Sequence, residues 1–241
     1  MTARDLVFIG DVHLDRDDPD LTAFLAFLEA LVPTTERIVL MGDLFNLWIG
    51  SEELEQPHHR AVIDQLASMR RRGLVVRYLE GNRDYRVGAR HAGGALEDAS
   101  EEGFEERHAG RRLWCAHGDL VNVRDRQYRT WRRVSRSRAA WAVFSLVPRR
   151  RRLAFAESLE RRMRGTNLGM KRAVPEELLR AYAAPRFAAG FDAVVLGHFH
   201  VELDVRDEGK RILVVPEWKG SRRHLRVGAD GTIAFVGGGG G

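Results

Sequence analysis

Leu6-Val7-Phe8-Ile9-Gly10-Asp11-Val12-His13 opens as a buried strand and closes on metal-binding residue types. Four apolar residues stopped by a glycine have the length and pattern of a strand covered on both faces. Asp11 and His13 stand where the chain leaves that strand. The same order returns four times downstream. Ile38-Val39-Leu40-Met41 runs into Gly42-Asp43, and the strand pattern of residues 74–79 leads to Gly81-Asn82-Arg83-Asp84. Residues 113–116 run into His117-Gly118-Asp119, and residues 193–196 into Gly197-His198-Phe199-His200. Ligands of open α/β sheets gather at the carboxyl ends of strands. A single His or Asp after a strand is ordinarily a cap or turn residue. Five such clusters in register predict one convergent site.

Helical spacing fills the gaps between the strands. Residues 21–32 are a helix with Asp20 as N-cap and Pro33 beyond its end, and residues 61–72 are a second, stopped by Gly73. A third spans residues 175–189, with Pro175 near its first turn and Gly190 just past its end. Strands alternating with helices predict a layered α/β fold. After His200 come four short strands, over residues 202–205, 212–215, 225–227 and 233–236, with turns at residues 207–209 and 230–231. Residues 121–173 break the rhythm: Trp131, Trp141, Phe144 and Phe155 lie among arginines without a strand signal. They read as a helical insertion over the sheet, within one domain spanning residues 1–236. Residues 237–241 read as a flexible glycine tail.

A chain of 241 residues with 44% hydrophobic content suits one compact domain. No apolar run reaches the roughly 20 residues of a membrane span, and the first residues enter a strand without a cleavage-site pattern. The expected location is the cytoplasm. Cys115 is the only cysteine, so an internal disulfide is excluded and a small core residue is expected. The net charge of +5 is concentrated in the insertion, where Arg124, Arg126, Arg129, Arg132, Arg133, Arg136, Arg138, the run 149–152, Arg161, Arg162, Arg164, Lys171 and Arg172 face only Asp125, Glu157 and Glu160. Such a block attracts an anionic partner: nucleic acid, a phospholipid surface or a phosphorylated substrate. A solvated arginine-rich face is the plain alternative.

Asp11, His13, Asp43, Asn82, His117, His198 and His200 offer oxygen and imidazole ligands without a thiolate. That donor set suits Mn²⁺, Fe²⁺ or Zn²⁺ better than Mg²⁺ or Ca²⁺. The set is too large for one ion and fits two if one carboxylate bridges. Two ions about 3.5–4 Å apart can clamp the attacking and leaving oxygens of a displacement at phosphorus. Water then serves as nucleophile, and no Ser or Cys motif offers another.

These motifs, in this order, resemble the calcineurin-like metallophosphoesterases over residues 6–200. The resemblance implies a four-layer α/β/β/α sandwich of two sheets flanked by helices, completed by the strands after His200. It implies that Asp11, His13, Asp43 and His200 hold one metal, with Asp43 bridging, and that Asn82, His117 and His198 hold the second. Mn²⁺ is the expected ion.

One departure from the superfamily narrows the expected chemistry. Where most members have a His after Gly-Asn, this chain has Arg83. A guanidinium cannot give a leaving group its proton, but it can stabilise phosphoryl charge bidentately. The leaving group should therefore need no acid, which fits a phosphate leaving from a pyrophosphate bond. This variant resembles the UDP-2,3-diacylglucosamine hydrolases of lipid A biosynthesis, which release UMP and lipid X by water attack at the α-phosphorus. Gly42-Asp43-Leu44-Phe45, Leu47-Trp48-Ile49-Gly50, the spacing from His117 to Asp125, Tyr128 and Arg132, and residues 215–221 with Trp218 match it.

The insertion corresponds to that family's basic and apolar lipid-binding cap. Arg83 would be catalytic, and Asn82, Arg83, Asp125, Tyr128, Lys171 and His198 would contact the UDP-linked acylated glucosamine. Phe199 replaces a usual Thr, and Arg164 and Leu168 stand where Ser and Asn precede the cap lysine. Peripheral contact with the cytoplasmic face of the inner membrane is expected, without nucleic acid or an obligate protein partner. The alternatives are a phosphodiesterase or nuclease of the same superfamily, or a binding module that keeps the metal site as scaffold.

Overall fold

β1 (Asp5–Ile9) sits inside a sheet because Leu6, Val7, Phe8 and Ile9 are all buried. The computed structural model describes residues 4–164 and 175–237. After β1 come α1 (Asp20–Leu31), β2 (Thr35–Leu40), β3 (Trp48–Ile49), α2 (Pro57–Arg71), β4 (Val75–Leu79), β5 (Asp84–Tyr85), α3 (Val87–His91) and β6 (Asp98–Ser100). β7 (Phe104–His108) and β8 (Arg111–Ala116) form a hairpin, followed by α4 (Arg126–Ser135), α5 (Arg138–Leu146) and α6 (Arg149–Arg164). The chain continues with α7 (Glu176–Ala188), β9 (Ala193–Leu196), β10 (Leu203–Asp207), β11 (Lys210–Val214), α8 (Trp218–Ser221), β12 (Arg223–Val227) and β13 (Ile233–Gly237).

Two sheets result. One has the order β13-β12-β1-β2-β4-β6 and the other β10-β11-β9-β8-β7. β1, β2, β4 and β6 run parallel, as do β8, β9 and β11. Alternation of side chains gives each strand two buried faces. Leu6, Phe8 and Val39 meet Leu113, Val195 and Leu213 between the sheets, and Cys115 is buried in that layer. Val7, Ile9, Ile38 and Leu40 pack outward on Phe24 and Leu28 of α1 and Val62 and Leu66 of α2. Val194, Leu196, Ile212 and Val214 pack on Leu179 and Ala183 of α7. Each fully buried Leu, Ile or Phe contributes about 1.5–3 kcal/mol. The architecture is the four-layer α/β/β/α sandwich expected.

The structure corrects local details. Asp20 is the first residue of α1 rather than its N-cap, which is Pro19. The free amide of Asp20 donates instead to the Asp18 carboxylate at 3.0 Å. β3, β5, β6, β7, α3 and α8 were not expected. Gly237 ends β13, paired with Arg223, rather than opening a tail, and residues 238–241 lie outside the described residues.

Between β8 and α7 the described residues form helices and no strand. α4 is N-capped by Asp125, whose side chain accepts from the Tyr128 amide. α5 is N-capped by Ser137, whose hydroxyl accepts from the Ala140 amide. Trp141, Phe144, Leu153, Ala156 and Leu159 pack on Leu47, Ile49 and Leu54 beside β3. Beneath the helices lies an apolar cavity of about 200 Å³, lined by Ile49, Tyr85, Trp131, Trp141, Phe144 and Phe155.

Candidate metal centre

The ends of β1, β2, β4, β8 and β9 meet along one edge of the sandwich. His13 N–H donates to the Asp43 carbonyl at 3.0 Å, and His198 N–H donates to Asp11 Oδ2 at 2.7 Å. The second bond crosses from one sheet to the other. Gly42 and Gly81 make the convergence sterically feasible. A Cβ on Gly81 would lie 2.2 Å from Asp43 Oδ1, and one on Gly42, at φ +96°, would lie 2.7 Å from His117 Nδ1. Asp11, His13, Asp43, His198 and His200 all adopt positive φ. Asp and His enter that region more readily than most residues, and strain concentrated so tightly marks functional sites.

Two ligand groups emerge. Asp11, His13 and His200 form one, and Asp11, Asp43 and His117 the other. In the first, His13 Nε2 is 3.1 Å from His200 Nε2, and Asp11 Oδ1 is 3.8 and 3.4 Å from those two nitrogens. In the second, His117 Nε2 is 3.3 Å from Asn82 Oδ1, 3.2 Å from His198 Nδ1 and 3.9 Å from Asp43 Oδ1. Donors about 2.1 Å from a common ion stand roughly 3–3.5 Å apart, so these separations fit cation binding. Asp11 and Asp43 are fully buried, and Asp11 Oδ1 and Asp43 Oδ2 accept no hydrogen bond. Buried carboxylate oxygens left so are costly unless a cation meets them.

The tautomer of His117 is fixed. Its Nδ1 donates to the Met41 carbonyl at 2.7 Å, which turns the Nε2 lone pair to the centre. His200 Nδ1 lies 3.3 Å from Glu217 Oε2, with the same consequence. Burial alone would raise the Asp11 carboxyl, but His200 first, then His117 and His13, hold it below the usual carboxylate range. Burial, and then the neighbouring Asp43, push the Asp84 carboxyl up to about 7. Asp84 Oδ2 accepts from the Asp43 and Gly81 amides and the Tyr78 hydroxyl, each at 2.8 Å. Asp84 is thus a brace for the loops that carry Asp43 and Asn82.

Arg83 is buried against the centre. Its amide donates to Asp43 Oδ1 at 2.9 Å, its Nε lies 3.7 Å from Asp43 Oδ2, and its Nη1 reaches the Asn46 side-chain oxygen at 3.3 Å. Asp125 and Tyr128 are already engaged: Asp125 caps α4, and the Tyr128 hydroxyl donates to Asp119 in the loop after β8. Lys171, Leu168 and Arg172 lie outside the described residues. Glu217 and Asn46 were missed. Glu217 follows the apolar end of β11 through Val215-Pro216, the same strand-end pattern that marked the other clusters. Asn46 directly follows the Gly42-Asp43-Leu44-Phe45 motif.

The calcineurin-like phosphoesterase profile matches residues 5–202, which hold every candidate ligand named above. The chain belongs to the calcineurin-like phosphoesterase family. As a family member it is a metal-dependent hydrolase that uses divalent cations. A UDP-2,3-diacylglucosamine hydrolase of Aeromonas salmonicida (strain A449) is 31% identical over 80% of this chain and 76% of its own length. One of Stenotrophomonas maltophilia (strain R551-3) is 32% identical over 93% of this chain and 95% of its own. An archaeal phosphodiesterase structure aligns with a TM-score of 0.52 at 10% identity, over 96% of this calcineurin-like chain and 98% of that one. That likeness concerns the fold alone.

Proposed function

We propose that the chain hydrolyses the pyrophosphate bond of UDP-2,3-diacylglucosamine in lipid A biosynthesis, giving UMP and 2,3-diacylglucosamine 1-phosphate. The observation that carries this reading is the match to relatives of that name along nearly the whole chain, insertion included. The geometry supports it. A polar centre built for cations lies at the strand ends, and an apolar cavity under basic helices lies beside it. A diphosphate carrying two acyl chains needs both kinds of surface.

Asp11, His13, Asp43 and His200 hold one ion in this reading, and Asp43, Asn82, His117 and His198 the second, with Mn²⁺ the expected metal. Bound ions would polarise the phosphoryl oxygens and lower the pKa of the attacking water. The chain's own residues do the rest. Arg83, fixed by Asn46 and beside Asp43, supplies fixed positive charge where the departing phosphate develops its own. It gives no proton, and a phosphate leaving group requires none. Asn82 and His198 flank the same space. Lys171, Asp125 and Tyr128 are assigned to the substrate by resemblance alone. No helix among the described residues is long and apolar enough to cross a membrane, so contact with the inner-membrane face would be peripheral.

The direct test is incubation with UDP-2,3-diacylglucosamine and Mn²⁺, followed by mass spectrometry. UMP and the acylated sugar 1-phosphate are expected. Cleavage that yields other products, or none with a metal-loaded protein, would reject the assignment. Elemental analysis tests the paired ions separately: Asp43→Ala should lose both.

A further inference from the structure

Arg136 belongs to the insertion but is buried among groups of the catalytic frame. It sits at the junction of α4 and α5, as the C-cap of the first helix, one residue before the Ser137 cap of the second. Its side chain is only 5% exposed. Nη1 pairs with Glu80 Oε2 at 3.1 Å, and Nη2 donates to the carbonyls of Asp84, at 2.7 Å, and Gly81. Those two carbonyls bracket Asn82 and Arg83. Glu80 is itself fixed, its two oxygens accepting from the Arg86 amide at 3.1 Å and the Gly88 amide at 2.8 Å.

The other side of the guanidinium faces the insertion's interior. It lies 5.4 Å from the Tyr85 ring, and both residues line the apolar cavity with Trp141 and Phe144. A planar fork of five donors can serve a carboxylate and two carbonyls together, which a lysine ammonium cannot match in one fixed plane. A buried cation is also costly to leave unpaired. The insertion and the loop are therefore locked to one another at this residue.

We propose that Arg136 is a positioning residue through which the seating of the helical insertion sets the loop that carries Asn82 and Arg83. With the insertion seated, the guanidinium holds Gly81 and Asp84, Asn82 Oδ1 stays 3.3 Å from His117 Nε2, and the Arg83 amide stays on Asp43. With the insertion displaced, the loop loses three bonds at once, and the Asn82 side of the centre loses its ligand. The metal half of this inference rests on the reading of Asn82 as a ligand; the loop half does not.

The test uses the full chain with Arg136→Met, which keeps length and removes the donors, and Arg136→Lys, which keeps the charge. In metal-free protein, amide exchange at Gly81 and Arg83 should quicken about tenfold or more in Arg136→Met, while Phe8 and Val39 in the core strands stay as in the wild type. Titration with Mn²⁺ should then show the weaker of two binding events lost or weakened by about 10–100-fold, with Arg136→Lys intermediate. Should Arg136→Met fail to fold by circular dichroism, Glu80→Gln removes the ion pair alone and should quicken the same two amides by a smaller factor. Unchanged exchange at Gly81 and Arg83 in folded variants overturns the proposal. So does exchange that quickens uniformly through the chain, because that is lost stability rather than lost position. A wild type that saturates with one equivalent of Mn²⁺ overturns the paired-ion reading instead, and the exchange comparison still decides the role of Arg136.

Discussion

The Glu217 carboxylate lies 3.3 Å from His200 Nδ1, on the side of the ring turned away from His13. A proton held on Nδ1 by that carboxylate leaves the Nε2 lone pair facing the space between Asp11 and His13. Glu217→Gln keeps the shape but can present its amide N–H to the ring, and Glu217→Ala removes the partner. Both should weaken metal binding by about 10–100-fold, the alanine variant more. Competition with a chelator of known affinity reads the change. Metal retention equal to the wild type in both variants would show that Glu217 does not orient His200.

Arg83 should act on the leaving group and not on the metals. Arg83→Ala is expected to slow pyrophosphate cleavage by about 10²–10³-fold, as for loss of one charge-stabilising donor. Arg83→His should gain activity on alkyl phosphodiesters, whose alkoxide leaving group needs a general acid. Metal content serves as the control in both. The ratio of rates on the diacylated UDP-sugar and on an alkyl diester decides the matter. A wild type that prefers the alkyl diester would falsify the reading of Gly81-Asn82-Arg83-Asp84 and favour a phosphodiesterase.

His59 should make the fold sensitive to mild acid. It is buried in α2, where Nδ1 accepts from the Gln56 amide at 3.0 Å and Nε2 donates to the Leu47 carbonyl at 3.2 Å. Burial, with the neighbouring His58, holds its pKa down to about 3. The unfolded chain takes up the proton near pH 6.5. The native state thus binds fewer protons below that pH, so its stability is full above about pH 6.5 and falls as the pH drops toward 3. From pH 7 to 5 the loss from this one group is about 2 kcal/mol. His59→Gln keeps a capping-box residue at that position without the titration. Urea unfolding of metal-free protein at both pH values should show the smaller loss in the variant. Equal losses would remove His59 from the account.

The exposed end of the insertion should meet an anionic lipid surface. Leu146 and Val143 are 85% and 66% exposed, and Arg149, Arg150 and Arg151 stand exposed beside them. Arg152 differs: it pairs with Glu53 at 2.5 Å and is mostly covered. Basic residues near such a surface contribute about 1 kcal/mol each, and stable anchoring also needs apolar insertion. Replacing Arg149, Arg150, Arg151 and Leu146 by Ser should reduce sedimentation with anionic liposomes, most clearly at low salt. Sedimentation unchanged at low salt would mean a merely solvated charge run.

The strands that lead to the candidate ligands were readable because each ends in an apolar stretch followed within two residues by glycine or a candidate ligand. β7 escaped notice for the opposite reason. Its inward face carries Glu106, 1% exposed, paired with Arg37 at 2.5 Å and Arg77 at 2.6 Å. An ion-pair triad replaces the apolar alternation, and one-dimensional patterning cannot see the partners. β3 and β5, two residues each, are too short to show a period. The candidate ligands followed from residue type and strand-end position. Asn46 and Arg136 did not, and Glu217 has the strand-end position without its role being legible, because all three act through neighbours distant in the chain.

The candidate ligands come from two sheets that share no strand ladder among the described residues. Asp11, Asp43 and Asn82 ride on β1, β2 and β4, while His117, His198 and His200 ride on β8 and β9. Apolar side chains fill the seam between them, and such contacts resist separation far better than they resist sliding, because they are not directional. Ions held there from both sides would act as rivets across that seam. They would bind only with the two sheets in register, so their affinity would be converted into resistance to shear. Metal supply would then govern more than turnover: it would set whether the sandwich melts as one cooperative unit or as two halves that part along the seam.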